Sequence, residues 1–268
     1  MHYKAYSYYL SHDPYNSDNN IHCPAGCSPV ACAQLLYYLH YKIGIPEKAY
    51  GDCEDTYLNY PTDTTVVVSS SMLGLDSSTY SSSIWNQMSL TSSVANLGTK
   101  YVSILLAQMG MLMHTKYSIN AGSTNVNMKY GMLAYEFGIS LSQSSSFNFS
   151  TVRNQIINNE LPLIISLNYV NNNGVTSNDH AAIIDACKYN NYLINKTYVV
   201  ITPGIGGHYE YRVIQTPLIE RFIGFNWGYS GNDMMSSGSV KWYNADVISW
   251  IGGGNDFNHV VQVLYGFH

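Results

Sequence analysis

The sequence predicts an α+β fold, a mainly helical N-terminal lobe with a buried central helix packed on an antiparallel β-sheet lobe. Two observations predict it. Helix-length apolar runs lie in the first half of the chain, whereas short apolar runs separated by turn residues fill the second. That order, helices first and strands second, gives segregated layers rather than alternating βαβ units. The run Val30 to Leu39 is also apolar nearly all round, which marks a helix covered on most faces. With 268 residues the chain fits one large domain, 1–268, with a mainly helical half at 1–150 and a mainly β half at 151–268.

The elements follow in order. Residues 1–26 are polar and turn-rich, with Asp13-Pro14-Tyr15-Asn16 as a turn. A helix is predicted over 28–41. Pro29 falls in its first turn, where a missing N–H costs nothing, and Gly44-Ile45-Pro46 ends it. Residues 50–83, rich in Ser, Thr, Asp and Tyr, read as loop. Helices are expected over 94–113 and 124–137, the latter capped by Gly138. A short helix follows to about Glu160, with Ser150 as its N-cap. Strands are expected at 163–167, 180–186, 198–201, 209–214, 221–226, 238–243 and 260–265. The turns between them are Asn171-Asn172-Asn173-Gly174, Tyr189-Asn190-Asn191-Tyr192 and Gly204-Ile205-Gly206-Gly207. Met109, Met111 and Met113 read as core packing.

Composition narrows the function. Charged residues are 11% of the chain, so its polar surface comes from Ser, Asn, Thr and 25 Tyr. That is the composition of a secreted, cell-surface or periplasmic protein. Twelve Lys and Arg against 17 Asp and Glu leave no basic surplus, which excludes nucleic acid as a partner. No apolar run approaches the ~20 residues of a membrane span, and no signal-peptide core opens the chain. Five cysteines leave at least one thiol free even if two disulfides form.

Three short segments carry chemistry. Cys27 follows Gly26 and precedes the buried helix. N–H groups at a helix start favour a thiolate, and Gly26 lets the backbone turn tightly and a substrate carbonyl approach. The Cys27 N–H is then an oxyanion donor. A buried structural thiol is the competing reading, as it is for Cys32. The spacing of Cys23, Cys27 and Cys32 does not match a zinc knuckle or ribbon, so no metal or other cofactor is expected. Nine histidines compete for the role of base. His180 opens the apolar strand Ala181-Ala182-Ile183-Ile184, which can hold a ring still, and His208 after the glycine-rich turn is the runner-up. Asn226 ends another apolar strand, where an amide is otherwise costly, and can orient an imidazole. Trp227 would shield that bond from water. Gly204-Ile205-Gly206-Gly207 lacks the ending of a phosphate loop.

These segments together resemble the streptopain-like family of papain-like cysteine peptidases. The resemblance runs through Pro14-Tyr15-Asn16, Cys23-Pro24, Gly26-Cys27-Ser28-Pro29, Ala33-Gln34, Trp85-Asn86-Gln87-Met88, the stretch from Leu105 to Asn125, Asp179-His180-Ala181 and Asn226-Trp227-Gly228-Tyr229-Ser230-Gly231. It implies a papain-like two-lobed fold and a secreted peptidase made as a zymogen, whose pro-segment is absent from this chain. It implies Cys27 as nucleophile, His180 as base, Asn226 as ring-orienting residue and Trp227 as shield. The substrates are then proteins or peptides. Three positions depart from the family pattern. Tyr9-Leu10-Ser11 stands where the family has Trp-x-Gln, so the Gln oxyanion donor is missing or is replaced by Ser11 or His12. Ser28 stands where a small apolar residue is usual, and Tyr229 and Ser230 replace Trp and Gly. The missing Gln motivates an alternative, a catalytically weak or inactive papain-fold protein acting as a surface binding protein. A third reading is acyl transfer or amide hydrolysis on a non-protein substrate.

Overall fold

The structure, a computed structural model, describes residues 25–44, 53–58, 63–68, 82–88, 97–113, 115–117, 122–123, 138–171, 173–174, 176–202, 208–226, 242–246, 250–252 and 255–267. Helix α1 (Cys27–Ile43) is the element around which one core forms. Its residues Leu35, Leu36 and Leu39 are buried, as a run apolar nearly all round requires. Gly44 closes it in the left-handed conformation (φ 69°, ψ 37°), its N–H bonded to the carbonyl of His40.

The stretch expected to be loop instead holds strands β1 (Cys53–Leu58) and β2 (Asp63–Val68), paired antiparallel from Cys53↔Val68 to Leu58↔Asp63. The β-branched run Thr64-Thr65-Val66-Val67-Val68 outweighs the polar composition around it. Helix α2 (Ser82–Gln87) and helix α3 (Leu97–Leu112) follow, then the short strands β3 (Lys116–Tyr117) and β4 (Gly122–Ser123), which join β1 and β2 in a four-stranded sheet. The helix expected over 124–137 lies outside the described residues.

A second, six-stranded sheet has the order β5-β12-β6-β7-β8-β9 and is antiparallel throughout. Its strands are β5 (Ser142–Ser144), β6 (Leu163–Val170), β7 (Thr176–Thr202), β8 (His208–Asn226), β9 (Trp242–Asn244) and β12 (His259–Tyr265). β10 (Trp250–Gly252) and β11 (Asn255–Phe257) form a separate two-stranded hairpin, whose Phe257 is buried in the core of the larger sheet. Between β5 and β6 come helix α4 (Phe149–Arg153) and a π-helical turn (Asn154–Asn158). Asn148, not Ser150, is the N-cap of α4, and its Oδ1 accepts from the N–H groups of Ser150 (2.8 Å) and Thr151 (3.2 Å).

Two strands expected on either side of Tyr189-Asn190-Asn191-Tyr192 are one. Asn190 and Asn191 sit in the ladder opposite Glu220 and Ile219, so β7 runs through the expected turn. The Asn-Asn pair lacks the glycine that would turn it, and Tyr192, Leu193 and Ile194 after it are strand formers.

The sheet separates two cores. On one face Ile164, Ala181, Ile183 and Leu264 pack with α1 and with Leu106 and Met109 of α3. On the other, Leu163, Ile165, Ala182, Ile184, Ile223 and Phe225 pack with Val152 of α4 and with Phe257. Side chains alternate between the faces along each strand, so β6 and β7 supply both cores at once.

Candidate functional site

Gly26 and Cys27 start α1. Gly26 has φ 84° and ψ 146°, a conformation essentially reserved for glycine. Its carbonyl accepts from Val30 N–H (3.2 Å), the first bond of the helix. This bend turns the chain so that Cys27 faces β7. The Cys27 sulfur accepts from the backbone N–H of Ala181, the residue directly after His180. The Ser28 hydroxyl and the nearby N–H groups of Ser28 and Cys27 also favour its thiolate.

These contacts act against one another. Burial pushes the Cys27 thiol up from its ordinary value, and the donors from Ala181, Ser28 and Cys27 pull it back without cancelling the rise. The sequence predicts a thiol lowered by the helix start. Here the cost of taking a thiolate out of water is the larger effect. Ser28, itself buried, is a chain-specific donor to the sulfur. Cys32, one turn further and fully buried, is pushed well above the usual thiol range by burial and by the nearby Cys27. Cys27, Cys32 and Cys187 are all free thiols.

His180 is buried, at 6% exposure, in β7, opposite Leu167 of β6. Its ring stacks on Phe257, with centroids 5.7 Å apart and planes 30° apart. Phe257 itself is buried in the core that holds Ile184 and Phe225. The strand and this stack fix the imidazole without any bound ligand.

Asn226 is the last residue of β8 and pairs with Ile183 in β7, three residues along from His180. Its Oδ1 accepts from Nε2 of Gln34 at 3.2 Å. Gln34 lies seven residues after Cys27 on α1, two turns on and on the same side of the helix. Helix α1 therefore touches β7 through Cys27 and the end of β8 through Gln34. The Gln34 Oε1 is buried with no hydrogen-bond partner. Gln34, Tyr37, Tyr38 and Tyr41 of α1 line a cavity of about 660 Å³ together with Ile183, Asp185 and Asn226 of the sheet. Asp185 stays exposed at this cavity, and desolvation raises its carboxyl from the ordinary value.

The structure thus brings Cys27 to the backbone of Ala181 and sets Asn226 beside Ile183 on the same face of the sheet, whereas the His180 ring, alternating with Ala181, packs on Phe257 in the core on the opposite face. Ser11 and Trp227 lie outside the described residues, as does Cys23. Gln34 and Phe257 have contacts here that sequence reading did not assign. Gln34 stood only in a helix motif, and no local pattern marks Phe257. Among the described residues no cluster of three or more His, Cys, Asp and Glu side chains is arranged to hold a metal ion.

Comparison with known proteins adds to this geometry. A model of the peptidase C10 family matches residues 3–233. No curated protein matches the chain. Among solved structures the chain is similar to active wild-type Prevotella intermedia interpain A cysteine protease, at 16% identity and a TM-score of 0.61, over 98% of this chain and 90% of that one. At that identity the likeness is one of fold, a mixed arrangement of helices and antiparallel sheet.

Proposed function

The chain belongs to the peptidase C10 family and is a cysteine-type peptidase, and from that premise we propose that it is a secreted endopeptidase of papain-like two-lobed fold working through Cys27, His180 and Asn226. The observation that supports the reading is the match to the peptidase C10 family over residues 3–233, with the Cys27 sulfur against the backbone of Ala181 and Asn226 on the same face of the sheet; the His180 ring, stacked on Phe257 on the opposite face, must turn toward the thiol for the cycle to run. Secretion is supported by the low charge and the wealth of Tyr, Asn and Ser. Among the described residues no helix is long and apolar enough to cross a membrane.

The proposed cycle begins with proton transfer from Cys27 to His180. The resulting thiolate attacks the peptide carbonyl carbon, forming an S–C bond. The Cys27 N–H faces the developing oxyanion, with Ser11 as a second donor. His180, now imidazolium, gives its proton to the leaving amine as the C–N bond breaks. Water then attacks the thioester, His180 takes its proton, and the thiolate leaves. Asn226 orients the ring, Gln34 holds the Asn226 amide, and Trp227 covers the pair. Burial that raises the thiol gives His180 its task, since an imidazolium brought to the sulfur is what stabilises a thiolate in a site this dry.

The test is hydrolysis of casein and of internally quenched peptides by wild type and Cys27→Ala. Cys27→Ala is expected to reduce turnover to background while leaving the circular dichroism spectrum unchanged. Hydrolysis at the wild-type rate would remove Cys27 from the reaction.

A further inference from the structure

Strands β7 and β8 continue past the rest of their sheet. β6 accompanies β7 only as far as Leu163↔Ile184, and β9 accompanies β8 only at Phe222–Gly224. From Asn190↔Glu220 to Thr202↔His208 the two strands pair only with each other among the described residues. At about 3.3 Å per residue this arm is roughly 40 Å long. A lone two-stranded ribbon is marginal in water, so what its faces meet matters.

The two faces differ. One carries Lys188, Glu220, Lys196 and Arg212 among its apolar side chains. From Asn191↔Ile219 to Val199↔Tyr211 the other carries no charge at all. There Ile219 (45% exposed), Leu193 (66%), Val199 (51%), Val213 (61%) and Tyr211 (72%) lie open, with Asn195, Thr197 and Gln215 between them. This uncharged face continues a buried one. At the base of the arm, Ile223 and Cys187 on the same face pack in the core under α4, and Arg153 of α4 lies 5.1 Å from the ring centroid of Tyr189. Past Tyr189 no described residue covers the face, and its apolar character continues.

We propose that this face docks a second copy of the chain, ribbon on ribbon about a two-fold axis. The face is its own complement, being apolar toward both ends and amide-bearing in the middle, with no charge to repel its copy. Its ten side chains at these exposures present on the order of 700 Å², near the ~800 Å² that each side of a stable interface buries. Packing two such faces at the usual ~10 Å spacing makes a small β-sandwich of two marginal ribbons. The edges are poor alternatives. Pro217 has no N–H, and in a ladder that keeps register through Leu193↔Pro217 its nitrogen belongs on the outer edge of β8. Lys188 and Lys196 stud β7, as charges do on edges that must not recruit a further strand. The mixed signs on the opposite face and the net charge of −5 give no pull toward an anionic surface.

Sedimentation velocity of the full chain across a micromolar range is the first test. Wild type is expected to sediment as a dimer. The pair Tyr211→Lys with Val213→Lys should weaken association at least tenfold and leave peptidase activity and circular dichroism unchanged. The pair Tyr198→Lys with Ile214→Lys, on the charged face, should leave the dimer intact. A cross-link serves if lysines disturb the ribbon. Asn195→Cys, at the middle of the uncharged face, should give a disulfide-linked dimer on mild oxidation, and Lys196→Cys, one residue away on the other face, should not. A monomeric wild type throughout the range, equal loss from both lysine pairs, or equal cross-linking by both cysteines would overturn the proposal. A monomer that captures an extended peptide on this face instead would overturn it too.

Discussion

A thiol at a helix start is usually an easier thiol to ionise, but Cys27 pays first for leaving water. Burial raises it, and the donors of Ala181, Ser28 and Cys27 recover only part of that rise. The sign fixes the pH behaviour. A raised value means less thiolate at any given pH, and the deficit shrinks only as the pH climbs past the raised value. Under the proposed roles the His180 imidazolium supplies what the backbone does not. His180→Ala is therefore expected to cut peptide turnover by about 10²–10⁴, the usual worth of a positioned acid–base group. It should also move the iodoacetamide rate profile of Cys27 to the alkaline side of the ordinary thiol value of 9.0. A variant that alkylates as fast as wild type at pH 6 would dissociate His180 from the thiol. The histidine ring is held by a stack on Phe257, and the Asn226 amide by Gln34. Neither partner was legible in the sequence, because each contact closes over a long loop, 192 residues in the case of Gln34 and Asn226. The identities of Cys27, His180 and Asn226 were legible for the opposite reason. Each sits in a local setting, a glycine before a buried helix or a polar residue at the end of an apolar strand, that has few other uses.

Among the elements, α1 does the most. It starts at Cys27, holds Asn226 through Gln34, and fills one core with Leu35, Leu36 and Leu39. Leu39 is fully buried. Leu39→Ala is expected to cost about 2–5 kcal/mol, because the helix is enclosed by α3 and the sheet and cannot collapse into the gap. Urea unfolding followed by tryptophan fluorescence measures it, and a loss under about 1 kcal/mol would mean a site free to repack. This helix was the clearest element in the sequence, since ten consecutive apolar-rich positions admit few other structures. The elements that were misread share a cause. β1 and β2 were hidden by Asp, Thr and Tyr, polar residues that a strand tolerates when its neighbour pairs with it. The long β7 was cut at Asn190-Asn191, because Asn is common in turns and only the partner strand shows that these two are paired. Strand existence was readable from local pattern, and strand extent was decided by pairing.

At the scale of the whole molecule, one ladder joins the two parts of the chain that carry the proposed site. Cys27 and His180 precede the link between Thr202 and His208, and Asn226 follows it. The ladder from Thr202↔His208 to Ile183↔Asn226 holds both sides together without help from that link. A single cut by an added protease between those two residues should give two fragments on a denaturing gel, one particle in native sedimentation, and undiminished turnover. Separation of the fragments under native conditions would show that the ladder is weaker than its length suggests. Covalent continuity at the tip is then dispensable, and the two pieces could be synthesised as independent polypeptides. Reassembly would become bimolecular, and hydrolysis would fade on dilution as the halves parted, so that catalysis itself reported the affinity of one strand for another.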